Sequence, residues 1–215
     1  MSEERIENAN ESQAEAVATP EAIAQAKATL RRQTKNIRRA LDGEARDLAY
    51  ADITANVCAI PEFQQAKAVF AYVSTEDEVD TRALIARAWE AGKAVYAPRV
   101  VGPRTMEWHA IESFDGLERS AFGIDEPAAD PASAVDPAVV EDAVAIVPGL
   151  LFDTWGYRIG YGGGFYDEFL SSFTGISIGI ARAAFVSEAP LPTDEHDRTV
   201  DVIVTESGAY RRPRA

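Results

Sequence analysis

Residues 148–170 read PGLLFDTWGYRIGYGGGFYDEFL, and the fold turns on how they are read. An apolar run ends in Pro148-Gly149, a turn follows, then a glycine-rich loop, then residues that open a helix at about Phe165. Five glycines stand in nine positions: Gly156, Gly160, Gly162, Gly163 and Gly164. Without a Cβ the backbone reaches positive φ, and successive amide N–H groups turn toward one anion. The unpaired N–H groups and positive dipole end of the following helix add to that field. Arg158 at one edge suits phosphate oxygens, and Asp167 at the other suits a Mg²⁺ carried by them. The alternative is a glycine-rich hairpin or a tight strand-to-helix connection without a ligand. Arginine, three consecutive glycines, two aromatics and aspartate after an apolar strand favour a phosphate cradle.

Working outward, Asp142 to Pro148 forms the central strand that feeds this loop, and Gly175 to Ala181 the strand after its helix. Ala68 to Val73, Ala94 to Pro98 and Thr105 to Ile111 read as further strands, with Asp201 to Thr205 as the last. Thr19-Pro20 is an N-cap followed by proline at the first helical position, opening a helix that runs to about Leu41. Its apolar stripe is Ile23, Leu30, Thr34, Ile37 and Leu41. Beside it Lys27, Arg31, Lys35 and Arg38 fall within roughly 80° of arc at helical spacing. These four are either a solvated basic face or an anion-facing one. A second helix spans Asp42 to Ile60 and stops at Pro61, a third runs from Thr81 to Ala91 with Asp80 as its cap, and residues 128–141 make a surface connection. Strands alternating with helices argue α/β: a three-layer α/β/α sandwich with a mostly parallel sheet.

The chain has 215 residues and a formal net charge of −14. Residues 1–18, with five glutamates against one arginine, read as a disordered acidic tail, and 19–215 as one domain. The acidic balance argues against a nucleic-acid partner. One cysteine (Cys58, a core residue) and two histidines exclude an internal disulfide and a His/Cys zinc cluster. No signal peptide or membrane span is evident, so a cytoplasmic protein, monomeric or weakly homodimeric, is expected. His196 reads as a loop residue rather than a general base, and the acidic run Glu76, Asp77 and Glu78 stays open. No GxxxxGK[ST], GxGxxG or GxSxG pattern occurs.

Six segments in register are similar to those of the 5-formyltetrahydrofolate cyclo-ligase (5,10-methenyltetrahydrofolate synthetase) family. The first is Val147-Pro-Gly-Leu-Leu-Phe-Asp153 with Gly156-Tyr-Arg-Ile-Gly-Tyr-Gly-Gly-Gly-Phe-Tyr-Asp167. The others are Lys27-Ala-Thr-Leu-Arg31, Asp77-Glu-Val-Asp-Thr81, Ala97-Pro98-Arg99 with Met106, Phe122-Gly-Ile-Asp-Glu-Pro127, and His196-Asp197. The resemblance implies a sheet like that of sugar-phosphate isomerases and CoA transferases. It also implies ATP- and Mg²⁺-dependent closure of 5-formyltetrahydrofolate to 5,10-methenyltetrahydrofolate, with release of ADP and phosphate. Lys27, Arg31 and Arg158 would be the catalytic cations. ATP would meet these three together with Ile159, Gly160, Tyr161, Gly162, Gly163, Gly164, Phe165 and Tyr166. The folate would meet Val73, Glu78, Tyr161, Gly162, Gly163, Gly164 and Phe165, and Asp167 and Asp197 would carry Mg²⁺. Gly163 stands where many members have Lys, and Phe165 lacks the hydroxyl of the usual tyrosine. An idle nucleotide or folate binder, or an isomerase-like enzyme on the same sheet, is the alternative.

Overall fold

A computed structural model of the chain describes residues 19–40, 43–76, 78–121 and 123–212. The expected acidic tail lies outside these residues, as do Leu41 and Asp42 at the expected end of the first helix and the motif residues Asp77 and Phe122.

In chain order the helices are α1 (Pro20–Arg39), α2 (Gly43–Ala59), the short α3 (Pro61–Gln65), α4 (Arg82–Glu90) and α5 (Phe165–Ser172). Five strands pair in parallel at the heart of one sheet: β1 (Ala68–Ala71), β2 (Ala94–Gly102), β7 (Ala143–Val147), β10 (Ile176–Ile180) and β12 (Val202–Thr205). Antiparallel margins are added by β3 (Thr105–Ala110) and β6 (Ala134–Val135) on one side and β13 (Gly208–Arg211) on the other. The spatial order is β13-β12-β10-β7-β1-β2-β3-β6. Thus β7 is central as expected, whereas the last strand is β13. Residues 128–141 run over the surface but lend β6 to the sheet edge.

Strand alternation divides the core in two. Val69 and Ala71 of β1 point to the face covered by Ile53 and Val57 of α2 and by Leu84, Ile85 and Ala88 of α4. Ala68 and Phe70 point to the opposite face, where Trp108 and the α5 residue Phe169 pack. There Phe70 stacks on Tyr96 at 4.9 Å between centroids and meets Trp108 edge-on at 5.1 Å, and Phe169 lies 4.7 Å from Trp108. These contacts seat α5 on the sheet, so the loop before it starts from a fixed base.

Thr19 caps α1, its hydroxyl accepting from Ala22 N at 3.3 Å. The expected apolar stripe is only partly used. Thr34 is buried, but Ile37 is 57% exposed, because α1 lies over the loop edge of the sheet rather than its broad face. The N-cap of α4 is Thr81 rather than the expected Asp80, which stands one residue before it with its Oδ1 accepting from Arg82 N.

Between β7 and the glycine loop the chain does more than turn. β8 (Leu151–Asp153) and β9 (Arg158–Ile159) form a hairpin, and β11 (Val186–Ser187) joins β8 in parallel as a second, three-stranded sheet. The carboxylate of Asp153, completely buried, holds this corner. Its Oδ1 accepts from Trp155 N and Tyr157 N, and its Oδ2 from Leu191 N. A pair of two-residue strands, β4 (Glu118–Arg119) and β5 (Asp125–Glu126), closes the opposite side.

Candidate active site

A cavity of about 720 Å³ opens beyond the carboxyl ends of β1, β2 and β7. That is where parallel α/β sheets leave a crevice between diverging loops. Every residue that the sequence singles out as a site candidate lines it: Lys27, Arg31, Val73, Glu78, the run Arg158 to Asp167, and Asp197.

The glycine run forms one wall. Gly162 (φ +103°) and Gly164 (φ +70°) occupy conformations that a side chain would strain, and Gly164 is the N-cap of α5, with no side-chain cap. The amides of the first turn of α5 therefore face the cavity without intrahelical acceptors. From α1, Arg31 Nε donates to Gly160 O at 2.8 Å, and the ammonium of Lys35 lies 4.9 Å from the Tyr161 ring centroid. Arg38 donates to Gly149 O and Leu150 O. Much of the basic stripe thus ties α1 to the loop. The part that faces the cavity is Lys27 and Arg31.

Two cations are already neutralised. Lys27 Nζ lies 2.6 Å from Asp194 Oδ2 and 2.5 Å from Asp197 Oδ2. Burial works against its charge, but the two carboxylates outweigh burial and raise its pKa above the ordinary lysine value. In return the Lys27 ammonium lowers that of Asp194. Arg158 has a side chain only 4% exposed; it donates to Asp167 Oδ1 at 2.9 Å and to Arg198 O at 2.6 Å. Burial lowers its pKa, with the Asp167 charge opposing. Arg158, expected to be a catalytic cation that meets ATP, lies at the cavity wall, where its buried guanidinium braces Asp167 and the 194–198 loop.

Among the described residues no three His, Cys, Asp or Glu side chains cluster as a metal centre. Of the cavity's carboxylates, Asp167 and Asp197 are each bonded through one oxygen: Oδ1 of Asp167 to Arg158 and Arg198 N, Oδ2 of Asp197 to Lys27 and Asp194 N. Mg²⁺ is commonly held by one or two carboxylates plus phosphates and water, so this donor set fits Mg²⁺ arriving with a nucleotide.

The facing wall is apolar and acceptor-bearing. Glu78 Oε2 accepts from Thr75 N at 2.9 Å and Thr75 Oγ1 at 3.0 Å, which fixes its carboxylate at the end of β1. Nearby, the Tyr166 hydroxyl is buried without a hydrogen-bond partner. Burial and the Glu78 charge push its pKa up, so it stays a protonated donor. Tyr72, Val100, Arg104, Met106 and Glu126 also line the cavity, as does Asp194. Of these, Asp194 had a visible signal in the Asp194-Glu-His-Asp197 run, and His196 beside it is largely exposed, as expected. Arg104 and Glu126 come from the β2–β3 turn and from β5, far from the glycine loop in sequence.

Fold and site together define an α/β protein with an anion cradle at the carboxyl edge of its sheet. Comparison with known proteins narrows that class. The profile of the 5-formyltetrahydrofolate cyclo-ligase family matches residues 23–206, and the chain belongs to that family of ligases. It is 30% identical over 182 residues to the Escherichia coli 5-formyltetrahydrofolate cyclo-ligase, covering 80% of this chain and 96% of that one. It is 29% identical over 173 residues to a probable 5-formyltetrahydrofolate cyclo-ligase of Schizosaccharomyces pombe, covering 74% and 84%. The solved structure of Aquifex aeolicus 5,10-methenyltetrahydrofolate synthetase superposes with a TM-score of 0.75 at 32% identity, over 88% of this chain and 94% of that one.

Proposed function

We propose that the protein closes 5-formyltetrahydrofolate to 5,10-methenyltetrahydrofolate at the expense of ATP, releasing ADP and phosphate. The observation that carries this reading is one cavity with two unlike walls: glycine-loop amides and cations on one, and the fixed Glu78 carboxylate with Tyr72 and Val73 on the other. A nucleotide triphosphate suits the first, and the flat, donor-edged pterin of a folate suits the second.

The formyl oxygen is a poor leaving group. Its attack on the γ-phosphorus forms an O–P bond and breaks the bond to ADP. N10 then attacks the formyl carbon and loses its proton, and phosphate departs with the former formyl oxygen. The protein's share is positioning and charge neutralisation. The amides between Gly160 and Tyr166 receive phosphate oxygens, and Arg31 holds the loop in shape through Gly160 O. Lys27, released from Asp194 and Asp197, moves onto the phosphates. Arg158 keeps Asp167 aimed into the cavity, and Asp167 and Asp197 would hold Mg²⁺. Bound there, Mg²⁺ supplies charge neutralisation on the phosphates. Glu78 accepts from the amino-pyrimidinone edge.

The test mixes the purified protein with Mg²⁺-ATP and 5-formyltetrahydrofolate and follows the near-ultraviolet band of the methenyl product. A rise that needs both ATP and Mg²⁺ is expected. No rise, with either ligand still raising the melting temperature, would leave an idle binder. A rise without ATP would remove the phosphoryl-transfer step.

A further inference from the structure

The cavity's four cations are not equivalent. Lys27 is held by two carboxylates, Arg31 by Gly160 O, and Arg158 by Asp167 and Arg198 O. Arg104 makes no hydrogen bond or ion pair among the described residues. It sits in the two-residue connection Pro103-Arg104 between β2 and β3, with its side chain exposed at the cavity mouth.

Two features set this arginine apart. Its backbone is left-handed (φ 60°), a conformation that turns normally give to Gly or Asn at this position. In addition its guanidinium reaches across the cavity to the glycine loop. A Cβ placed on Gly164 would stand 2.9 Å from Arg104 Nε and 3.3 Å from its Nη2. Likewise, a Cβ on Gly162 would stand 3.3 Å from Arg31 Cζ. Two guanidiniums from unrelated elements therefore close on the same loop, two residues apart, one already committed to a carbonyl and the other uncommitted. Beneath Arg104 lie the unacceptored amides at the start of α5, and the buried, unpartnered Tyr166 hydroxyl lines the same cavity. Donors from the β2–β3 turn and from α5 thus border one space.

Resting on the cyclo-ligase reading above, we infer that Arg104 grips an anionic oxygen group of a bound co-substrate at the N-terminus of α5, as a fork of N–H donors swung in from the β2–β3 turn. Two groups carry that chemistry here: the terminal phosphoryl of the nucleotide and the carboxylates of a glutamylated folate tail. Guanidinium suits either, in paired N–H to O contacts.

The experiment titrates Mg²⁺ with the β,γ-imido analogue of ATP, and separately 5-formyltetrahydrofolate bearing one or three glutamates, into the wild-type protein, Arg104→Met and Arg104→Gly. Both variants are expected to weaken one ligand by roughly 10- to 100-fold, the loss of one charge-assisted contact. Loss confined to the nucleotide identifies the phosphoryl group; loss confined to the triglutamate identifies the tail. Arg104→Gly supplies the control that a structural role fails. It relieves the left-handed backbone, so its melting temperature stays level or rises while affinity falls. Wild-type affinity of both variants for all three ligands overturns the inference, as does weakened binding that merely tracks a lowered melting temperature. If the wild-type protein binds neither nucleotide nor folate, the cyclo-ligase reading fails and this inference with it; if it binds both and the variants do too, only this inference fails.

Discussion

The two walls of the cavity are held in place by different means. The glycine-loop wall is one continuous stretch, Arg158 to Asp167, fixed from behind by Asp153 in the β8–β9 corner and from the side by Arg31, Arg38 and Arg158. Its ligand-facing groups are mostly backbone amides, which cost nothing to reorganise once the loop is set. The facing wall is assembled from separate elements: the end of β1, the β2–β3 turn and β5. Its groups are side chains, among them the fixed carboxylate of Glu78 and the buried carboxylate of Glu126. The charges of the first wall are mutually satisfied, whereas the second holds Arg104, unpaired among the described residues on a left-handed backbone, and Glu126 with its long contact to Val100 N. The difference suggests that the first wall sets stability and the second sets what binds.

The sharpest way to break that division is at Asp153. Asp153→Ala strands three N–H groups, that of Leu191 buried and those of Trp155 and Tyr157 partly so, and a loss of about 2–4 kcal/mol in urea unfolding is expected. A loss below about 1 kcal/mol would show that the hairpin holds itself and that the first wall owes little to this carboxylate. Next in size is Arg158→Ala. With the guanidinium buried between Asp167 and Arg198 O, it should cost about 2–3 kcal/mol, less than the roughly 3–5 of a fully buried pair because Asp167 is partly exposed. Turnover should fall by roughly 100-fold as Asp167 loses its aim. Full activity with reduced stability would make Arg158 purely structural.

The same contrast explains how much was legible beforehand. The first wall could be read because backbone conformation, residue type and order coincide in one run: glycines where φ turns positive, aromatics that seat α5, an aspartate in its first turn. Helical spacing gathered Lys27 and Arg31 on one stripe with Lys35 and Arg38, and the family resemblance singled out the pair. Burial was not. Nothing in Gly156-Tyr-Arg158 tells whether the guanidinium faces a ligand or a carboxylate behind the loop, and nothing in the neighbourhood of Asp153 marks it as the corner's acceptor. The exposed Ile37 misled for a related reason, since a helix over the loop edge of a sheet needs a narrower apolar stripe than one on its face. The second wall was the least visible. Glu126 lies in a segment that carries the family resemblance, but no role followed from it, and Arg104 reaches the cavity only because β2 and β3 extend beyond the sheet's edge. That is a tertiary consequence without a local signature.

A smaller effect tests the first wall from inside. Gly162→Ala places a Cβ at φ +103°, 3.3 Å from the Arg31 guanidinium. A cost of about 1–2 kcal/mol is expected from the backbone alone. Displacing Arg31 from Gly160 O should weaken nucleotide binding further. If melting temperature falls while the Kd for the nucleotide is unchanged, Arg31 does not shape the loop.

The smallest expected effect has the opposite sign and lies in the second wall. Glu126 is 4% exposed, and its one backbone contact, from Val100 N, is long at 3.4 Å. Burial pushes its pKa above the ordinary glutamate value, more than Val100 N–H, Arg99 and Ser120 pull it down. A carboxyl whose folded pKa is raised is disfavoured in its charged form by the fold. At neutral pH the group is therefore a net cost, and the cost disappears as pH falls below the unfolded glutamate pKa, where both states are protonated. Glu126→Gln should accordingly stabilise the protein at pH 7 by less than about 1 kcal/mol, with the gain vanishing near pH 4. A carboxylate that burdens the empty fold persists in this wall where it can accept a donor from a ligand. Glu126→Gln should then bind folate less tightly even as it melts higher. A variant that is destabilised at neutral pH would mean Glu126 is already satisfied, and that the second wall is as settled as the first.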